Sequence, residues 1–97
     1  MPAYVIGCVT VDDPEGLTEY AQQVPGVIER YGGRYLARGQ AAEVFEGDWA
    51  GKRLAVLEFE SVEAAKRWYE SDEYQALAAI RRRCASSDLV LVEGLES

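Results

Sequence analysis

The chain has 97 residues, 48% of them apolar and 28% charged, enough for one compact core over residues 1–97 and too few for a second. Seventeen acidic against ten basic residues give a net charge of −7, so a polyanion-binding surface would have to act against the overall field, and a nucleic-acid partner is not expected. No apolar run approaches the roughly 20 residues that cross a bilayer, and the N-terminus lacks the basic segment and long apolar stretch of a signal peptide, which points to a cytoplasmic protein with no membrane partner.

Ala3 to Val11 (AYVIGCVTV) is nearly continuous in β-branched and apolar residues and predicts a first strand, central in a sheet or covered on both faces. Asp13 before Pro14 reads as an N-cap with proline at the first helical position, so a helix is expected from Pro14. Leu17, Tyr20, Ala21, Val24, Val27, Ile28 and Tyr31 give it one apolar face, and Gly32-Gly33 end it as a left-handed cap. Pro25 removes the bond to the Ala21 carbonyl and predicts a kink or a split there. Arg34 to Arg38 and Ala42 to Glu46 alternate on either side of Gly39-Gln40-Ala41, which reads as a hairpin. Gly47 to Gly51 is a turn cluster, and Lys52 to Phe59 is a further strand. Ser61 caps a helix that packs through Val62, Ala65, Trp68 and Tyr69. Ser71 caps another, whose apolar stripe is Tyr74, Leu77, Ile80 and Cys84 and whose last turn carries Arg81, Arg82 and Arg83. Asp88 to Glu93 is the last strand.

This order is βαββαβ with one extra short strand, a ferredoxin-like α+β sandwich with an antiparallel sheet and helices on one face. YVIGCVTV and KRLAVLEF are too apolar for a sheet with one wet face, so the uncovered face is expected to meet a second copy in a homodimer.

Taken together, YVIGCVTVDDPEGLTEYA, GGRYLARG, EVFEGDW, LEFESVEAAKRWYESDEYQALAAIRR and LVLVEG resemble the bacterial family called domain of unknown function 1330. Glu58-Phe59 through Trp68-Tyr69-Glu70-Ser71 to Tyr74-Gln75-Ala76-Leu77 is the most specific part, and Glu46-Gly47-Asp48-Trp49 the next. The resemblance spans almost the whole chain. It implies a dimeric α+β barrel, two ferredoxin-like subunits joined through their sheets, and no established reaction. The wider superfamily includes cofactor-independent monooxygenases, isomerases and haem enzymes, so the fold offers only analogy for function.

No histidine and no asparagine occur in the chain. Their absence removes the commonest general base and metal ligand, any Ser-His-Asp or Cys-His arrangement, and the usual proximal ligand of haem. Cys8 and Cys84 have no partner at metal-ligand spacing, so no metal and no cofactor are expected and both thiols should be reduced. Arg38, Glu46 and Glu58 are charges in strand-forming stretches. Arg38 with a strand carboxylate would bind an organic acid in a bidentate fork, or would be a plain ion pair. Strand parity sets Glu58 with Leu54 and Val56, opposite Arg53, Ala55, Leu57 and Phe59, so Glu58 shares an apolar face and is the first candidate for a perturbed carboxylate. Trp68, Tyr69 and Tyr74 either line an aromatic pocket between helices and sheet or are ordinary core. Arg81 to Arg83 read as a solvated helix end, with an anion patch as the alternative.

The ligand-binding candidates are thus Arg38, Glu58, Trp68, Tyr69 and Tyr74, and no catalytic residue is assigned. The expected function is binding of a small aromatic or carboxylic acid between sheet and helices. A cofactor-independent oxygenase or isomerase and a structural or regulatory interaction module are the alternatives.

Overall fold

A computed structural model describes residues 1–49 and 53–95, with backbone alone at 39–41. Strand β1 (Ala3–Val11) leads through helix α1 (Thr18–Arg30) to strands β2 (Arg34–Ala41) and β3 (Arg53–Phe59). Helices α2 (Val62–Glu70) and α3 (Asp72–Cys84) and strand β4 (Ala85–Glu93) follow. The sheet order is β2-β3-β1-β4 with every neighbouring pair antiparallel, the ferredoxin-like topology expected from the element order. The helices lie on one face, where Val5, Leu57 and Phe59 of the sheet pack with Val24 and Ile28 of α1, Trp68 of α2, and Tyr74 and Leu77 of α3. Trp68 is the hub: its ring centroid lies 5.2 Å from that of Phe59 and 4.2 Å from that of Tyr74.

Local chemistry explains the helix ends. After α1, the Gly32 N–H donates to the Glu29 carbonyl and the Gly33 N–H to the Ile28 carbonyl, both at 3.0 Å, a Schellman closure that needs the positive φ of 81° at Gly32. Gly33 is required for space, since a Cβ there would stand 2.5 Å from the Phe59 ring. Ser61 Oγ accepts from Ala64 N–H at 3.0 Å. Ser71 Oγ accepts from Tyr74 N–H at 3.1 Å and donates to the Trp68 carbonyl at 2.7 Å, so one hydroxyl joins the end of α2 to the start of α3.

Four sequence expectations need correction. Asp13 does cap, its Oδ1 accepting from Gly16 N–H at 3.1 Å, but the capped turn holds the poor helix former Gly16 and regular helix begins only at Thr18. Of the kink or split expected at Pro25, the split does not occur, since Pro25 lies inside a single helix α1. The hairpin is absent: β2 continues through residues 39–41, and 42–46 form no strand. Strand β4 starts at Ala85 rather than Asp88 because the long β1 offers pairing partners down to Val11, which faces Ala85. Of the expected turn cluster and third strand, residues 50–52 lie outside the described residues.

The other face of the sheet carries no helix. Register aligns Val56, Ile6 and Val90 across its centre, with Leu54, Cys8 and Asp88 on one side and Glu58, Tyr4 and Val92 on the other. Val90 and Val92 are about half exposed, at 57% and 49%. Cys8 on this face and Cys84 in α3 are both free thiols.

Candidate functional site

The covered face is not filled. At the end of the sheet where β1 finishes, several of the residues that face the helices are small: Gly7 lies opposite Ala55, and Ser87 lies opposite Val9. The longer side chains above them leave a cavity of about 240 Å³. Tyr20 and Ala21 of α1 form its roof, Trp68, Tyr74 and Arg81 its inner wall, and Tyr35, Arg38 and Arg53 the edge-strand side.

Two local irregularities place Arg38 there. Alternation along β2 would put Arg38 on the face opposite Tyr35, but a bulge between Tyr35 and Ala37 shifts the register so that Tyr35 pairs with Leu57 and Arg38 with Ala55. Both side chains therefore face the helices, with the Arg38 guanidinium 5.1 Å from the Tyr35 ring centroid. The second irregularity is Pro25. It has no N–H to donate to the carbonyl of Ala21, and Arg38 Nη2 donates to that carbonyl instead. The proline that disturbs the helix thus supplies the acceptor that holds an arginine at the mouth of the cavity.

The phenols are held neutral. Burial raises the pKa of Tyr20 well above its ordinary value of 10.0, reinforced by the charge of and hydrogen bond with Tyr74, whose hydroxyl lies 3.4 Å away. Burial also raises Tyr35, opposed by the Arg38 charge. Near neutrality these groups donate hydrogen bonds and do not take protons. Arg81 is 6% exposed and forms no ion pair within 4.0 Å with a described carboxylate. Among the described residues, the cavity wall holds three guanidinium groups and no carboxylate, in a chain of net charge −7. The chemistry of such a space suits an acceptor-rich or anionic organic molecule, and the described residues of its wall offer no group suited to abstracting a proton.

Of the residues singled out from sequence, the structure brings Arg38, Trp68 and Tyr74 together around this cavity. Glu58 is on the other face. Its parity with Leu54 and Val56 is as expected, but the helices cover the opposite set, and Glu58 pairs with Arg34 at 2.8 Å. Tyr69 packs 5.7 Å from the Tyr74 ring, outside the cavity wall, and is 39% exposed; its hydroxyl accepts from Arg82 at 3.4 Å. Glu46 is exposed. Arg81 is not part of a solvated helix end, because the α3 stripe that buries Tyr74 and Leu77 also turns Arg81 inward, while Arg82 and Arg83 stay exposed. Sequence reasoning read Tyr20 only as helix packing and passed over Tyr35, Arg53 and Ser87. Three- and four-residue spacing from Tyr74 to Arg81 was the available signal for the buried arginine.

Among the described residues, no group of three or more His, Cys, Asp or Glu could hold a metal ion, and no helix is long and apolar enough to cross a membrane.

The family model described as "Domain of unknown function (DUF1330)" matches residues 2–95. No curated protein matches the chain significantly. Among solved structures, the chain is similar to a protein of unknown function from Rhodopseudomonas palustris, with TM-score 0.75 and 21% identity over 99% of this chain and 84% of that one. SnoaB, a cofactor-independent oxygenase from Streptomyces nogalater, gives TM-score 0.70 and 13% identity over 99% and 95% of the two chains. A protein of unknown function and possible oxidoreductase from Bacteroides thetaiotaomicron gives 0.67 and 14% over 96% and 97%. These likenesses establish the α+β fold of the dimeric-barrel type and leave the chemistry to the cavity.

Proposed function

This chain belongs to the DUF1330 family, and from that premise we propose that it binds a small aromatic or carboxylic acid in the cavity between sheet and helices. The observation that carries this reading is a 240 Å³ space walled by tyrosine, tryptophan and arginine, with no carboxylate among its lining residues. Arg38, Trp68 and Tyr74 are binding residues in this reading, joined by Tyr20, Tyr35 and Arg81. The test is a thermal-shift screen of small neutral and charged organic compounds, since a ligand of the native state alone raises its melting temperature. Hits that disappear in Ala55→Leu, which fills the cavity floor, support the reading. No hits, or hits indifferent to that substitution in a folded variant, overturn it.

The uncovered sheet face supports a homodimer: Ile6, Val56 and Val90 form an apolar centre that a self-complementary contact would bury. A second functional reading, a cofactor-independent oxygenase, draws on the likeness of fold to SnoaB. It requires a proton acceptor near the substrate, and the protonated phenols and guanidinium groups of the wall favour binding instead. Oxygen uptake dependent on a bound aromatic compound would reverse that preference.

A further inference from the structure

Among the described residues, three buried side-chain polar atoms have no hydrogen-bond partner: Trp68 Nε1, Arg81 Nε and Ser87 Oγ. They come from α2, α3 and β4, yet all three residues line this cavity, Arg81 and Ser87 also bordering a neighbouring pocket beside Tyr69 and Arg82. An indole N–H and a guanidinium N–H can only donate, and a hydroxyl can also donate, so the group missing from this end of the cavity is an acceptor. The buried positive charge of Arg81 makes an anionic acceptor the favoured one. A carboxylate fits that demand, since its two oxygens offer about four acceptor positions.

The rest of the cavity defines what the carboxylate is attached to. Trp68 and Tyr74 stand with ring centroids 4.2 Å apart, and the remaining wall is largely aromatic and aliphatic. A dry cavity of about 150 Å³ holds benzene. The 240 Å³ here exceeds that by more than the space of a small substituent, room for one ring and its head group. The burial that keeps Tyr20 and Tyr35 protonated also leaves no phenolate to repel an anion.

We infer that the ligand is a single-ring aromatic carboxylate whose head group is seated against Arg81, Trp68 Nε1 and Ser87 Oγ, with its ring beside Tyr20, Tyr35 and Tyr74. This rests on the cavity-binding reading above and adds the chemical class and the orientation. Arg81 recognises the charge, whereas the exposed Arg38 stands at the mouth.

The test is calorimetric titration with benzoate, its neutral analogue benzamide, the ring-saturated cyclohexanecarboxylate, and phenyl phosphate. Benzoate is expected to bind at least about tenfold more tightly than each of the others. Arg81→Met should lower benzoate affinity at least about tenfold and benzamide affinity by a clearly smaller factor. Ser87→Ala should lower it about threefold, and serves as the decisive variant if Arg81→Met does not fold. A second readout follows the indole N–H resonance of Trp68 in Trp49→Phe protein, where it is unambiguous: benzoate should move it and benzamide should not. If benzamide or phenyl phosphate binds as well as benzoate, or if benzoate binds Arg81→Met or Ser87→Ala like the parent, the head-group assignment is overturned while cavity binding stands. If cyclohexanecarboxylate matches benzoate, the aromatic assignment falls. If none of the four binds and the broader screen is also silent, both readings fall together.

Discussion

On its helix side the sheet presents Gly7, Ala55 and Ser87 beneath tall aromatic neighbours, and the mismatch in height leaves a hole. On its other side the same three strands present Ile6, Val56 and Val90 at nearly even height with no helix above them. One face is covered and incompletely filled; the other is flat and uncovered. The strands accordingly do not alternate between apolar and polar residues: both faces carry apolar side chains, one in a core with a cavity and one left uncovered. Shape separates the two faces where hydropathy does not.

The comparison is broken most strongly by charging the flat face. Val56→Asp places a carboxylate at its centre, twice in a symmetric dimer, and should cost several kcal/mol of association. Sedimentation should change from about twice 10.7 kDa to 10.7 kDa, while the cavity ligand still binds. A variant that sediments like the parent would refute pairing through this face.

On the covered side the largest loss should come from Trp68→Ala. The indole is 2% exposed and touches both Phe59 and Tyr74, and its removal should destabilise the fold by about 3–5 kcal/mol in urea unfolding. Val90→Ala, on the open face, should cost the isolated subunit well under 1 kcal/mol. Similar costs for the two would mean that the faces are not distinguished as described.

A smaller effect concerns alkali. The folded-state pKa of Tyr20 is raised above the ordinary 10.0, so the folded chain retains a proton that the unfolded chain releases. The stabilisation from this difference is complete below pH 10 and declines as pH rises above it. Melting temperature should therefore fall above that pH, less steeply in Tyr20→Phe; an unchanged slope would contradict the burial of this phenol.

The smallest effect is assigned to Glu58→Gln. The Arg34–Glu58 pair lies on the open face with side chains 70% and 26% exposed, and such pairs contribute about 0–1 kcal/mol. A shift in melting temperature of a few degrees at most and unaltered ligand affinity are expected. Loss of binding in the folded variant would return Glu58 to the site.

How much of this was legible depended on whether the signal was local. Strand β1 was readable to its last residue because Asp12-Asp13-Pro14 interrupts the apolar run, and Gly32, Ser61 and Ser71 announced their caps by residue type. The cavity was legible in part: Trp68 and Tyr74 followed from helical spacing, and Arg38 from being a charge in a strand. The face it occupies did not, since the bulge after Tyr35 reverses parity without any distinguishing residue. Glu58 lies outside the cavity for the complementary reason. Parity groups residues correctly but does not say which group the helices will cover. Arg81 was lost among three consecutive arginines, where only the angular position on α3 separates the buried one from its exposed neighbours.

The hold of Ala21 on Arg38 has one more consequence. A hydrogen bond to a carboxylate answers to acidity and to salt. A main-chain carbonyl has no proton to exchange and no net charge to screen, so the tether that Pro25 frees stays the same wherever α1 stays folded. This contact ties the placement of Arg38 to the folding of α1, and it is a point of attachment on which neither acidity nor ionic strength acts directly.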